Sequence, residues 1–265
     1  MQTIEHSVVC SDKAALQVVE YPGAKTAPLV LLLPGNGGGI NRFKDVAEKL
    51  CGQGFRCVAM NYRGAGASTE GDTQDLTLHD YAADAATVIR QFGREAIVLG
   101  NAFGNRVARC LGNDHPALVA QIVLVCAGGQ IAADPEVIRR MMDINNTSLP
   151  RKDRIAAAAE TLFAPGNPVP DWFIDDNRSA RAAQLCGIAM SATQDNDWQS
   201  GGSGRMLIIQ GSEDRVAVPA NATVLQERFP ARVAVQIIDN AGHAVLNEQP
   251  AAVTQNLVTY LHKYA

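Results

Sequence analysis

The stretch Ile97-Val98-Leu99-Gly100-Asn101-Ala102-Phe103-Gly104-Asn105-Arg106 changes character twice within a few residues. Ile97–Leu99 is an aliphatic strand run, Gly100 and Gly104 bracket a sharp corner, and Arg106–Leu111 continues at helical spacing. A strand that turns at once into a helix is the building unit of a parallel sheet. The same unit recurs on either side. Upstream, Leu29–Leu33 is a continuous aliphatic run stopped by Pro34-Gly35, the pattern of a strand buried on both faces. Phe43, Val46, Ala47 and Leu50 follow at helical spacing, Gly52 and Gly54 end them, and Arg56–Met60 is the next strand. Asp80–Phe92 predicts a helix with Tyr81, Ala85, Val88, Ile89 and Phe92 on one face. Downstream come strands at Val119–Val125, Met206–Ile209 and Val233–Ile238, with helices at Ala220–Phe229 and Ala251–Tyr264. Thr3–Tyr21, split by Cys10-Ser11-Asp12-Lys13, predicts an opening hairpin.

The fold class is therefore α/β, a mainly parallel, doubly wound sheet joined by right-handed crossovers. Residues 129–202 break the rhythm. Pro135, Pro150, Pro165, Pro168 and Pro170 interrupt short helical pieces, and Ser200-Gly201-Gly202-Ser203-Gly204 closes the stretch like a linker. The expectation is a core over 1–128 and 203–265 with a helical insertion at 129–202.

Composition narrows the function. The chain has 265 residues, 47% hydrophobic and 19% charged, as in a folded protein with a sizeable core. Lys and Arg total 23 against 27 Asp and Glu, a net charge of −4, which leaves no electrostatic footprint for nucleic acid. The six cysteines show no C-x-x-C spacing and no zinc-finger histidine, so a reducing cytoplasm is expected. The first residues carry neither the basic nor the apolar region of a signal peptide, and no aliphatic run approaches the roughly 18 residues of a membrane span. No membrane partner is expected.

In open α/β sheets the chemistry collects at the carboxyl ends of the strands. There Gly100-Asn101-Ala102-Phe103-Gly104 matches the G-x-S-x-G nucleophile elbow, with alanine at its centre. Leu33-Pro34-Gly35-Asn36, the run Asn61 to Ser68, Gly211-Ser212-Glu213-Asp214 and Gly242-His243 join it. On these segments the chain resembles the α/β-hydrolase superfamily along its whole length. The family orders its triad as nucleophile, acid and base, and Ala102, Asp214 and His243 fall in that order. The resemblance implies that Asp214 orients His243 and that the backbone N–H groups of Asn36 and Phe103 form an oxyanion hole. It further implies a helical cap at 129–202 and hydrolysis of a small, largely apolar ester, lactone or C–C bond next to a carbonyl. No metal and no organic cofactor is implied, and the partner is a small-molecule substrate.

A methyl group cannot attack a carbonyl, so an acyl-enzyme at Ala102 is excluded. Three readings stay open: an engineered Ser→Ala variant, a natural enzyme in which His243 and Asp214 activate water or the substrate itself, or a binding protein on a hydrolase scaffold. The second includes cofactor-free lyase or oxygenase chemistry with His243 as base. Glu213 is the alternative acid, less well placed. Asn101 is similar to the Gly-Asn-Ser elbows of C–C bond hydrolases, although asparagine also suits a turn. Gly37-Gly38-Gly39 lacks the lysine and hydroxyl of a phosphate loop. Cys126 at a strand end reads as a buried, inert thiol rather than a substitute nucleophile, and Ser68 as a loop-packing serine. Met141, Phe163 and Trp172, with Met142, Phe173 and Trp198, either line an apolar substrate pocket or form the insertion's own core.

Overall fold

The computed structural model describes residues 2–175 and 179–264. In chain order they form β1 (Ile4–Val9), β2 (Ala15–Tyr21), β3 (Leu29–Leu33), α1 (Lys44–Gly52), β4 (Arg56–Met60) and α2 (Leu78–Phe92). Next come β5 (Ala96–Asn101), α3 (Phe103–Asp114), β6 (Val119–Val125), α4 (Pro135–Met142), α5 (Arg151–Thr161) and α6 (Ala180–Ala192). The chain ends with α7 (Asp195–Trp198), β7 (Met206–Gly211), α8 (Ala220–Arg228), β8 (Val233–Ile238), α9 (Val245–Glu248) and α10 (Pro250–Tyr264).

The strands make one eight-stranded sheet in the order β1-β2-β4-β3-β5-β6-β7-β8. The opening hairpin is antiparallel and β2 joins β4 antiparallel, whereas β3 runs parallel to both β4 and β5. Parallel neighbours need crossovers, and the helices between strands supply them. This is the α/β architecture that the strand and helix alternation predicts. Every residue of β3 is buried, because a central parallel strand is covered on both faces. The outer strand β1 is largely exposed.

Two helices start two or more residues ahead of expectation. The helix α2 begins at Leu78, where the Asp80 carboxylate accepts the N–H of Thr77 at 2.8 Å and its hydroxyl at 2.7 Å. That carboxylate satisfies a donor the helix leaves open, so the first turn forms ahead of the apolar face. The helix α3 begins at Phe103 rather than Arg106, directly on the corner. The short α9 has too few residues to display a period and was not expected.

The chain divides into two compact units, Met1–Leu124 with Asn177–Met206, and Val125–Asp176 with Leu207–Ala265. Residues 129–175 thus group with the second unit and 179–202 with the first. In the first, Arg63 spans Asp84 with two hydrogen bonds of 2.7 and 2.8 Å, and also donates to Asp12 and to the carbonyl of Asp72. This buried hub pins the segment after β4. In the second, Ile144, Leu162, Phe163, Phe173, Ile174 and Ala244 pack as one apolar cluster.

Candidate active site

The corner between β5 and α3 is strained. Ala102 has φ 49° and ψ −111°, a conformation that L-residues avoid at a cost on the order of 1–3 kcal/mol. The corner closes only because its flanks lack side chains. A Cβ on Gly100 would sit 2.2 Å from the Gly104 carbonyl oxygen, and one on Gly104 would sit 2.3 Å from that of Leu33. The Ala102 carbonyl accepts the N–H of Asn105 at 3.1 Å and also its side-chain amide. Arg109 in turn holds the Asn105 side-chain oxygen at 2.5 Å, and its guanidinium lies 4.3 Å from the ring centroid of Trp198. A brace therefore runs from Trp198 through Arg109 and Asn105 to the back of the corner.

Phe103 opens α3, so its N–H has no intrahelical acceptor. Its ring is fixed edge-on against Tyr62 and Tyr81, with centroids 5.3 and 5.5 Å away. Asn36 lies in the segment after β3, next to Gly35, where an added Cβ would come 3.5 Å from that of Ala102. The segment after β3 thus borders the corner. Tyr62 donates its hydroxyl to the Pro34 carbonyl at 3.0 Å and ties that segment down.

The second unit builds a carboxylate–imidazole pair. Asp214 follows β7 and His243 follows β8, and His243 Nδ1 lies 2.9 Å from Asp214 Oδ2 and 3.1 Å from Oδ1. The Asp214 side chain is fully buried and that of His243 is 14% exposed, so the imidazole is anchored at Nδ1 in a largely enclosed setting. Asp214 also accepts the N–H groups of Val216 and Ala217, each at 2.8 Å, and Gln210 Nε2 at 2.9 Å. Burial works to raise the Asp214 pKa, but His243 and these N–H donors outweigh it and hold the carboxyl below its ordinary value. An ionised Asp214 favours the tautomer that carries its proton on Nδ1.

The backbone around His243 is held as firmly. Glu248 accepts the Gly242 N–H at 2.7 Å, and Leu162 accepts that of Ala244 at 2.8 Å. Cys126, at φ 53° just beyond β6, directs its thiol to the His243 carbonyl at 3.4 Å. Burial first, and then Asp214, push this thiol well above its ordinary pKa, which keeps it protonated and a poor nucleophile. Cys126, Asp214 and His243 are close enough to bracket a metal ion, their ligand atoms lying within 4.8 Å of one another. The Asp214 oxygens, however, are already engaged by His243, Gln210, Val216 and Ala217, so the arrangement serves the imidazole.

Of the aromatic and sulfur residues, Phe163 is 2% exposed inside the apolar cluster and Met141 packs against it. Trp172 is 42% exposed and touches Phe173 at a ring distance of 5.9 Å. Met142 is exposed, and Trp198 is buried under Arg106 and Arg109 in the first unit. Ser68 is buried and accepts the Gln17 N–H at 2.8 Å, a packing role. Sequence reasoning missed Asn105, Gln210 and Glu248. Each acts through a partner many positions away or a backbone group that carries no signature, although Gln210, a lone polar residue inside the apolar β7 run, was the available hint.

A family model described as alpha/beta hydrolase fold matches residues 28–250. Protein ABHD8 of Homo sapiens is 22% identical over 121 residues, covering 45% of this chain and 28% of that protein. The Bos taurus protein of the same name is 21% identical over 123 residues, covering 46% and 28%. The matched stretch thus spans just over a quarter of these relatives' length. Among solved structures, the esterase EaEST from Exiguobacterium antarcticum superposes with a TM-score of 0.80 at 21% identity, covering 98% of this chain and 100% of that one. A thermophilic esterase from Thermogutta terrifontis, bound to malate, gives 0.77 at 21% identity over 100% and 99%. A serine hydrolase from Cycloclasticus zankles gives 0.80 at 17% identity over 98% of each chain. These likenesses establish the fold. Among the described residues no helix is long and apolar enough to cross a membrane. With a family model spanning most of its length and the sheet order described above, the chain belongs to the α/β-hydrolase fold family.

Proposed function

We propose that the chain hydrolyses a small, largely apolar ester or lactone by activating water with His243, without a covalent intermediate. Residue 102 stands at the family's nucleophile position, Asp214 orients His243, and the N–H groups of Asn36 and Phe103 receive the oxyanion. His243 Nε2 takes a proton from water as the water oxygen bonds to the carbonyl carbon. The tetrahedral oxyanion then collapses, and the departing alkoxide takes that proton from His243. The observation that carries this reading is the buried, multiply hydrogen-bonded Asp214 carboxylate held on His243 Nδ1, the arrangement that orients an imidazole as a base. The neighbours' description as esterases supports the substrate class.

A second reading follows from the methyl group at residue 102: the chain binds a small carbonyl compound and leaves it unchanged. A panel of short-chain esters and lactones separates the two. Water activation is expected to give slow turnover in the unaltered chain that falls by about 10²–10⁴-fold in His243→Ala. Ala102→Ser is expected to gain a burst phase and to react with a serine-directed phosphonate. Turnover that survives His243→Ala sinks the base role. Stoichiometric binding of the panel compounds with no turnover in either the unaltered chain or Ala102→Ser selects the binding reading.

A further inference from the structure

In the first unit, away from the Asp214–His243 pair, the start of α2 and the end of α3 bring together a nitrogen, a sulfur and an oxygen donor. His79 Nδ1, Cys110 Sγ and Asp114 Oδ2 all lie within 4.8 Å of one another. The S···N and S···O separations are both 3.5 Å, and the N···O separation is 2.7 Å. Ordinary zinc bond lengths in a tetrahedron give S···N and S···O edges of about 3.5 Å and an N···O edge of about 3.3 Å. Two of the three edges already have that length. The third reaches it when the imidazole swings by roughly 0.6 Å, the difference between about 3.3 and 2.7 Å. The side chain of His79 is 45% exposed on the first turn of α2, and an ion entering between Nδ1 and the Asp114 carboxylate takes the place of their hydrogen bond.

The setting suits a metal ligand set in two further respects. Cys110 and Asp114 are four residues apart on α3, so both project from the same helix face. Asp197 Oδ2 stands 3.7 Å from His79 Nε2, on the far side of the ring from the sulfur. A carboxylate behind the non-ligating nitrogen is the usual outer partner of a metal-bound histidine, fixing its tautomer and orientation. A thiol with one imidazole and one carboxylate suits a borderline cation of the zinc class and does not suit calcium or magnesium, which take oxygen donors.

We infer that His79, Cys110 and Asp114 bind a zinc-class divalent cation, with Asp197 as positioning residue and water in the fourth place. The ion takes the place of the thiol proton, which leaves to solvent, and no electrons are exchanged. Bound there, it clasps the start of α2 to the end of α3. The site is independent of the proposed hydrolysis.

The test uses the full chain, freed of metal with a chelator and titrated with Zn²⁺ and Co²⁺. One equivalent of Zn²⁺ is expected to bind and to raise the melting temperature, and Co²⁺ is expected to give a thiolate-to-cobalt charge-transfer band. Cys110→Ser is expected to remove the band and weaken Zn²⁺ binding more than the about 10–100-fold loss typical of an outer partner. His79→Ala, at a half-exposed position, repeats the test without disturbing the core, with a similar loss of affinity. Asp197→Asn keeps the band and loses about 10–100-fold. Cys126→Ser leaves band and affinity in place. A band that survives Cys110→Ser and vanishes in Cys126→Ser overturns the assignment, as does failure of the unaltered chain to bind Zn²⁺ against a weak competing chelator.

Discussion

The Glu248 carboxylate accepts the backbone N–H of Gly242, the residue before His243, at 2.7 Å. Its other oxygen accepts the N–H of Ala164 and the side-chain amide of Asn167, each at 2.7 Å. One side chain thus ties the loop that carries the imidazole to the segment after α5. Glu248→Gln places an amide donor against these donors and leaves one of them unmet, so a loss of roughly 1–3 kcal/mol is expected. Urea unfolding measures it. The exposed control Glu95→Gln should change stability by no more than about 0.5 kcal/mol. Equal small effects from both would show that the tie is not energetic.

Asp214 gives a pH signature whose sign follows from its lowered pKa. Its folded-state value lies below the ordinary 3.8, so the ionised form is favoured by folding. The resulting stability is fully present above the unfolded value and is lost as pH falls through the folded one. The difference in unfolding free energy between the unaltered chain and Asp214→Asn should therefore shrink as pH falls below about 4, where the carboxylate takes up its proton. Denaturant titrations across that range decide it. A difference that goes on widening as pH falls below about 4 contradicts the ionised carboxylate.

Much of this was legible in the chain because the decisive features are local. A short, wholly aliphatic run stopped by Pro34-Gly35, such as Leu29–Leu33, favours a strand covered on both faces, and Gly100 and Gly104 mark where backbones approach too closely for a side chain. Asp214 and His243 were legible by their order and by the strands before them. The supports were not. Asn105, Gln210 and Glu248 earn their roles from backbone groups or partners that the fold delivers, and no local pattern encodes such a meeting. The same holds for His79 and Cys110, which lie 31 positions apart and share no ligand spacing. Helix α3 starts early because the strained turn at Ala102 leads straight into helical geometry, while Phe103-Gly104-Asn105 read alone resembles a turn.

Arg63 is expected to dominate the stability of the segment after β4. It is 4% exposed and holds both Asp84 oxygens, so its removal strands a buried carboxylate. Arg63→Met should lose about 3–5 kcal/mol. The double replacement Arg63→Met with Asp84→Leu should recover part of that loss, since the fully buried carboxylate is then gone and only the partly exposed Asp12 loses its partner. Additive losses in the double variant would contradict the pairing.

The six cysteines should separate sharply in reactivity. Cys51, at the end of α1, is half-buried, and a hydrogen bond from the Cys57 thiol brings its pKa down to about 7 against the opposing effect of burial. Cys57 itself is pushed well above its ordinary value, first by that hydrogen bond and then by burial. Burial foremost raises Cys10, Cys110 and Cys126, each of them beside a carboxylate. Only the thiolate reacts with alkylating agents, so at pH 7 a brief exposure to iodoacetamide should label Cys51 ahead of the others. Peptide mass spectrometry at successive times reads the order. Cys57→Ala removes the donor, and the Cys51 rate at pH 7 should then fall as its pKa returns toward the ordinary thiol value. If Cys51 keeps its rate without Cys57, exposure rather than the thiol pair sets its reactivity, and if Cys126 is labelled first the buried thiol beside Asp214 is not the inert group described above.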